Sequence, residues 1–96
     1  MPISAEINES CGIATIHLRG DLTLAAAREI ETLFSNLSEN GASRILLDLE
    51  GVRSIDVQAV SVLTGIVVNL RMLGGELRIV NAVGNILQLL GHKHLR

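Results

Sequence analysis

The apolar positions of this 96-residue chain change their spacing from segment to segment, and the longest coherent stretch runs from Ile45 to Leu73. Ile45, Leu46 and Leu47 form an unbroken apolar run, as expected of a strand buried on both faces. Asp48 to Ser54 then turns polar, with Gly51 as a punctuating residue. From Asp56 the period lengthens. Val60, Leu63, Val67 and Leu70 recur on one helical face, with Ala59, Val62, Ile66 and Leu73 beside them. A buried strand feeding a mostly buried helix predicts the centre of a small α/β domain. The junction, Ser54 to Ala59, falls at the carboxyl end of a strand, where open α/β sheets place ligands and functional loops.

Upstream, Ile3, Ala5 and Ile7 alternate with polar residues and read as a half-buried strand. Glu9 to Gly12 is turn-like, and Ile13 to Arg19 reads as a second strand, antiparallel to the first across so short a connection. Ile16 and Leu18 face inward, with His17 on the opposite, solvated side. Gly20 to Thr23 ends this strand and starts a helix capped by Thr23 or by Asp21. Ala26, Ile30, Leu33 and Leu37 share its inward face, Ala27 and Phe34 flank them, and Asn40-Gly41 closes it. Gly74-Gly75 stops the next helix, and Glu76 to Val80 reads as a fourth strand. Asn81 is placed to cap a last helix, with Val83, Ile86, Leu87 and Leu90 on one face and Gly91 at its end. The predicted order is ββαβαβα. This is one α/β domain over residues 1–96, a mixed, mostly parallel sheet with helices packed against it through right-handed crossovers.

Composition then removes several classes of function. One Phe, no Tyr and no Trp leave an aliphatic core and no aromatic platform for stacking bases or sugars. A formal charge of −2 argues against nucleic acid, whose binding rests on Lys and Arg at phosphates. No apolar run reaches the ~18 residues of a spanning helix, so direct membrane insertion is not expected. The opening MPISAEINES lacks the basic and apolar regions of a signal peptide, and one cysteine, Cys11, forms no internal disulfide. Both point to the cytoplasm. No His or basic residue adjoins Cys11 to favour a thiolate, so it reads as a turn residue.

Catalytic chemistry needs convergent titratable groups, and the chain offers few. GxSxG, GxxxxGK, HExxH and CxxC patterns are all missing. His92 and His94 stand at i, i+2, a spacing that does not converge on one helix face, so neither metal nor cofactor is expected. Asp48 and Asp56 form a conceivable carboxylate pair for acid–base or Mg²⁺ work. A simpler reading outweighs it. Asp48 ends a strand, and Asp56 is an N-cap whose carboxylate satisfies N–H groups near Gln58 and Ala59. The expectation is a protein that is not an enzyme.

Four segments in register resemble the STAS domain, the fold of bacterial anti-sigma factor antagonists and of the cytoplasmic tails of sulfate transporters. Ile16 to Leu22 is similar to the family's strand ending Leu-x-Gly-Asp/Glu-Leu, and Ile45 to Val52 to its "vvLDLsgV". Ile55-Asp56 with the aliphatic helix after it resembles "fIDSSGLgvLl", and Gly74 to Asn81 resembles "GGeLrLvn". The resemblance implies a protein-interaction module of a partner-switching system that regulates transcription. Its partner would be an anti-sigma factor or a switch kinase. In phosphorylated relatives the residue after the Asp is a Ser or Thr that such a kinase modifies. Here Val57, Gln58 and Ala59 occupy that stretch, and neither Val57 nor Gln58 accepts phosphate. Phosphate there would add about −1.5 to −2 charges beside a helix start.

Three readings of Val57 follow. The surface binds its partner constitutively, or it serves another partner that needs no switch, or Val57 packs against a neighbouring loop. The expected partner surface comprises Asp56, Val57 and Gln58, with Asp21 and Thr23 on the adjoining strand-to-helix loop, since both loops leave carboxyl ends of strands. Two other functions stand beside the leading one. The first is a STAS subunit of a lipid-transport ATPase or of another signalling assembly. The second is a domain binding a small molecule or nucleotide.

Overall fold

Two alternating strands, an amphipathic helix and a strand–helix–strand unit build the fold seen in a computed structural model, which describes residues 3–41, 43–82, 84 and 86. The elements are β1 (Ser4–Ser10), β2 (Ile13–Leu22), α1 (Leu24–Glu39), β3 (Arg44–Ile55), α2 (Val57–Met72) and β4 (Glu76–Val80). β1 and β2 form the expected antiparallel hairpin. Its two-residue turn puts Cys11 and Gly12 at φ 53° and 80°, so Cys11 is the turn residue its neighbours implied. β2, β3 and β4 are parallel neighbours, giving the order β1-β2-β3-β4.

That order advances in one direction only. Right-handed crossovers between successive strands therefore lay α1 and α2 on the same face of the sheet. The core lies between them: Ile16, Leu18, Ile45, Leu47 and Leu49 from the sheet against Ile30, Phe34, Val60 and Leu63 from the helices. Among the described residues no element covers the other face. This corrects the reading of Ile45 to Leu47 as buried on both sides, for Leu46 on the open face is only half-buried.

β3 is also longer than expected. The polar stretch Asp48 to Ser54 is not a turn but strand, with one wet face, and Gly51 marks a bulge. His17 pairs with Asp48 while Arg19 pairs with Gly51, so β3 places two residues opposite Leu18. A Cβ on Gly51 would stand 2.5 Å from Arg19 Cγ and 2.7 Å from the Leu18 carbonyl oxygen, which explains the glycine.

The helix ends follow from local chemistry. Thr23 Oγ1 accepts from the Ala26 N–H at 3.1 Å, which settles the cap of α1 in favour of Thr23 over Asp21. α2 closes in a Schellman arrangement. Gly75 N–H donates to the Leu70 carbonyl at 2.7 Å and Gly74 N–H to that of Arg71 at 3.1 Å, with Gly74 at φ 83°. Leu73, placed beside the apolar stripe by its spacing, is instead the exposed C-cap residue. β1 departs from expectation too. Ile7 faces the helix side, opposite Ile16, but this edge lies beyond the helices and every residue of β1 is exposed. Only Gly84 and Ile86 of the expected last helix are described. Both are helical and Ile86 is buried. Val83, Leu87, Leu90, Gly91, His92 and His94 lie outside the described residues.

Candidate functional site

Parallel neighbours end together, and the carboxyl ends of β2 and β3 meet where Leu22 pairs with Ile55. Three bonds stitch the loops beyond. The Asp56 N–H donates to the Leu22 carbonyl at 3.0 Å, the Thr23 N–H to the Asp21 carbonyl at 3.1 Å, and Ser54 Oγ to Asp21 Oδ1 at 2.9 Å. Asp21, Thr23, Asp56, Val57 and Gln58 therefore lie along one edge, as the strand ends implied. Thr23, Asp56, Val57 and Gln58 are exposed and Asp21 is half-buried. Val57 opens α2 with 61% of its surface exposed, so it does not pack against a neighbouring loop.

Two expectations at this edge need correction. Asp56 has the extended backbone of an N-cap (φ −80°, ψ 146°), but its side chain makes no capping bond to Gln58 or Ala59. The carboxylate stays at the exposed edge instead, and the first-turn N–H groups take no acceptor from it. The strand order also never reverses, and the switch-point crevice that receives ligands in doubly wound sheets has no counterpart here. What remains is an exposed rim with an aliphatic projection. Such a surface suits contact with a macromolecule better than enclosure of a small one.

Sequence reasoning missed a second polar constellation, on the open face. Asp48 is buried there (8% exposed). Its Oδ1 accepts from the Glu50 N–H and from Asn81 Nδ2, both at 3.0 Å, and its Oδ2 from His17 Nδ1 at 2.7 Å. His17 is thus a partner of Asp48 rather than merely solvated. Asn81, read as a helix cap, sits in the left-handed region (φ 61°) and spends its amide on Asp48. One signal was available: Thr15, His17 and Arg19 alternate with buried residues, as do Leu46, Asp48 and Glu50 near the start of the neighbouring strand. Asp48 and Asp56 do not act as a pair. Eight residues of extended chain at ~3.3 Å each separate them by roughly 20–26 Å. Among the described residues, no three His, Cys, Asp or Glu side chains are grouped to hold a metal.

Burial is the largest single influence on the Asp48 carboxyl and opposes its ionisation. The bonds from Asn81, the Glu50 N–H and His17 outweigh it and hold the group below its ordinary value of 3.8. A depressed carboxyl adds stability that is fully present above the unfolded value and is lost as pH falls through the folded one. Wild type should therefore lose stability below pH 3.8 more steeply than Asp48→Asn does. Urea unfolding on either side of that pH checks this. Parallel curves for the two proteins would refute it.

A hollow of about 670 Å³ overlies this face, lined among others by Glu6, His17, Arg19, Asp48 and Glu50. Three carboxylates share that lining with one guanidinium, so the hollow does not favour a nucleotide's phosphates. No described helix is long and apolar enough to cross a membrane.

Comparison with known proteins agrees with this architecture. The STAS domain family model matches residues 3–94. Comparison with curated proteins finds no match. Among solved structures, an anti-sigma factor antagonist from Mycobacterium paratuberculosis is similar at a TM-score of 0.83 and 13% identity, over 98% of this chain and 80% of that one. The Bacillus cell fate determinant SpoIIAA in its phosphorylated form is similar at 0.79 and 17%, over 96% and 85%. The murine anion transporter Slc26a9 is similar at 0.73 and 16%, over 88% of this chain but 14% of the transporter. At these identities the likeness speaks for the fold, and the family match, which spans nearly the whole sequence, carries the assignment. This chain belongs to the STAS domain family.

Proposed function

We propose that the protein is a non-catalytic, cytoplasmic interaction module, similar to an anti-sigma factor antagonist, that is not switched by phosphate at the start of α2. Asp56, Val57 and Gln58, with Asp21 and Thr23 beside them, are its partner surface, and an anti-sigma factor or switch-kinase-like protein is its partner. The carrying observation is Val57: an aliphatic side chain, 61% exposed, where relatives that are switched present a hydroxyl. Exposed aliphatic surface ringed by polar groups is the make-up of a small protein contact. Partner choice is then constitutive or controlled by another route.

The test is incubation with a switch kinase and ATP, followed by mass spectrometry. Residues 55–59 should remain unmodified. Ser54, Ser61 and Thr64 are the nearest hydroxyls. Ser54 is bonded to Asp21, and Thr64 Oγ1 donates to the Val60 carbonyl at 2.9 Å. Stoichiometric phosphate on any of the three would show that this copy is switched after all.

A further inference from the structure

β1 ends the sheet, and every one of its seven residues is exposed. A free edge strand presents a row of unpaired N–H and C=O groups, which natural sheets guard with Pro, Lys, bulges or very short strands. β1 uses none of these. Ser4 to Ser10 pair with β2 without a register shift and contain neither Pro nor Lys. Which groups are free follows from the turn. Cys11 and Gly12 both have positive φ, a type I′ turn, so Ser10 and Ile13 exchange the closing pair of hydrogen bonds. Alternation then turns the N–H and C=O groups of Ala5, Ile7 and Glu9 outward. The side chains carry two further marks. Ile7 faces the helix side, opposite buried Ile16, yet 37% of it is exposed. Glu6 and Glu9 are the charged residues of the strand, and neither has an ion-pair partner among the described residues.

We infer that β1 receives an extended, cationic segment of a protein partner as an added strand, antiparallel to it. Backbone bonds to Ala5, Ile7 and Glu9 supply the pairing, and alternate side chains supply the selectivity. In that register the residues facing Glu9, Ile7 and Glu6 stand at j, j+2 and j+3, so the segment reads basic, any, aliphatic, basic. The aliphatic residue extends the core over Ile7. The first basic residue meets Glu9 on the helix side. The second meets Glu6 on the open face, beside the hollow where carboxylates outnumber the one guanidinium. Opposite charges facing each other across a strand pair are stabilising. A second copy offers no such match, because two β1 strands paired about Ile7 would gather four carboxylates and no cation. This edge shares no residue with the one at α2, and the two can be tested apart.

The probe is the end-blocked peptide Thr-Lys-Thr-Val-Lys-Val-Thr, titrated into the whole protein and followed by amide NMR shifts. Saturable shifts should centre on Ala5, Ile7 and Glu9. The same peptide with Glu in place of both Lys should bind at least tenfold more weakly. Glu6→Lys with Glu9→Lys should reverse that preference, so that the Glu peptide becomes the tighter one. Ile7→Pro removes an outward N–H that β2 does not use, and should abolish the shifts with an unchanged circular dichroism spectrum. Val57→Asp should leave peptide binding as it is. Lack of saturable binding, shifts centred away from β1, or a preference that the charge reversal leaves unmoved overturns the inference. A folded Val57→Asp protein that no longer binds the peptide would place it at α2 and overturn the inference too. So would a dimer of the protein alone, seen by sedimentation and dissolved by Ile7→Pro, since the edge would then belong to a second copy.

Discussion

Leu63→Ala should lower folding stability by about 2–5 kcal/mol, the range for emptying a fully buried leucine site. Leu63 is 0% exposed and stands midway along the inward face of α2. Val60, Ile66 and Val67 surround its turn of the helix, and buried β-strand residues lie beneath. The loss combines removed apolar contact with a cavity that these stiff aliphatic neighbours fill poorly. With one Phe in the whole core, no large ring is at hand to swing into the gap. Chemical denaturation at neutral pH measures the effect. A loss below about 1 kcal/mol would mean that this face is not packed as described.

Gly51→Ala should be the next most damaging, at about 1–3 kcal/mol, although it adds a single methyl group at a half-buried position. The new Cβ would lie 2.7 Å from a backbone oxygen, that of Leu18, and 2.5 Å from Arg19 Cγ, close to that residue's own backbone. Neither neighbour is the loose end of a side chain. Relief requires β2 and β3 to part at the bulge that carries the register change between His17 and Arg19. The effect is local to the strands that deliver Asp21 and Asp56 to the edge, so the variant tests whether the bulge sets that edge. Stability equal to wild type would show that the strands close over an alanine without cost.

α1, α2, the hairpin and β4 were legible because periodicity states which side of an element is apolar. Glu76–Val80 matches the reading to the residue, and of the α1 face read as Ala26, Ile30, Leu33 and Leu37 all but the half-buried Leu33 are buried. Periodicity does not state what covers the other side. Asp48 to Ser54 looked like a turn because polarity in a strand with a bare face resembles polarity in a loop. The His17–Asp48–Asn81 contacts join residues 31 and 33 positions apart, beyond any local pattern. At the candidate edge the loops were placed correctly, since strand ends and helix starts can be read from sequence. The failed cap at Asp56 could not be read, because a side chain facing water has no neighbour in sequence to reveal its choice.

If the exposed start of α2 is the partner surface, one substitution there must disturb binding without disturbing the fold. Val57→Asp puts a negative charge where 61% of the valine is exposed, and negative charge at a helix amino terminus matches its dipole, so the fold should be retained. Binding to the native partner, measured by titration calorimetry alongside an unfolding curve for each protein, should weaken at least tenfold, about 1.4 kcal/mol. Unchanged affinity in a Val57→Asp protein of wild-type stability would contradict the account and place the interface elsewhere.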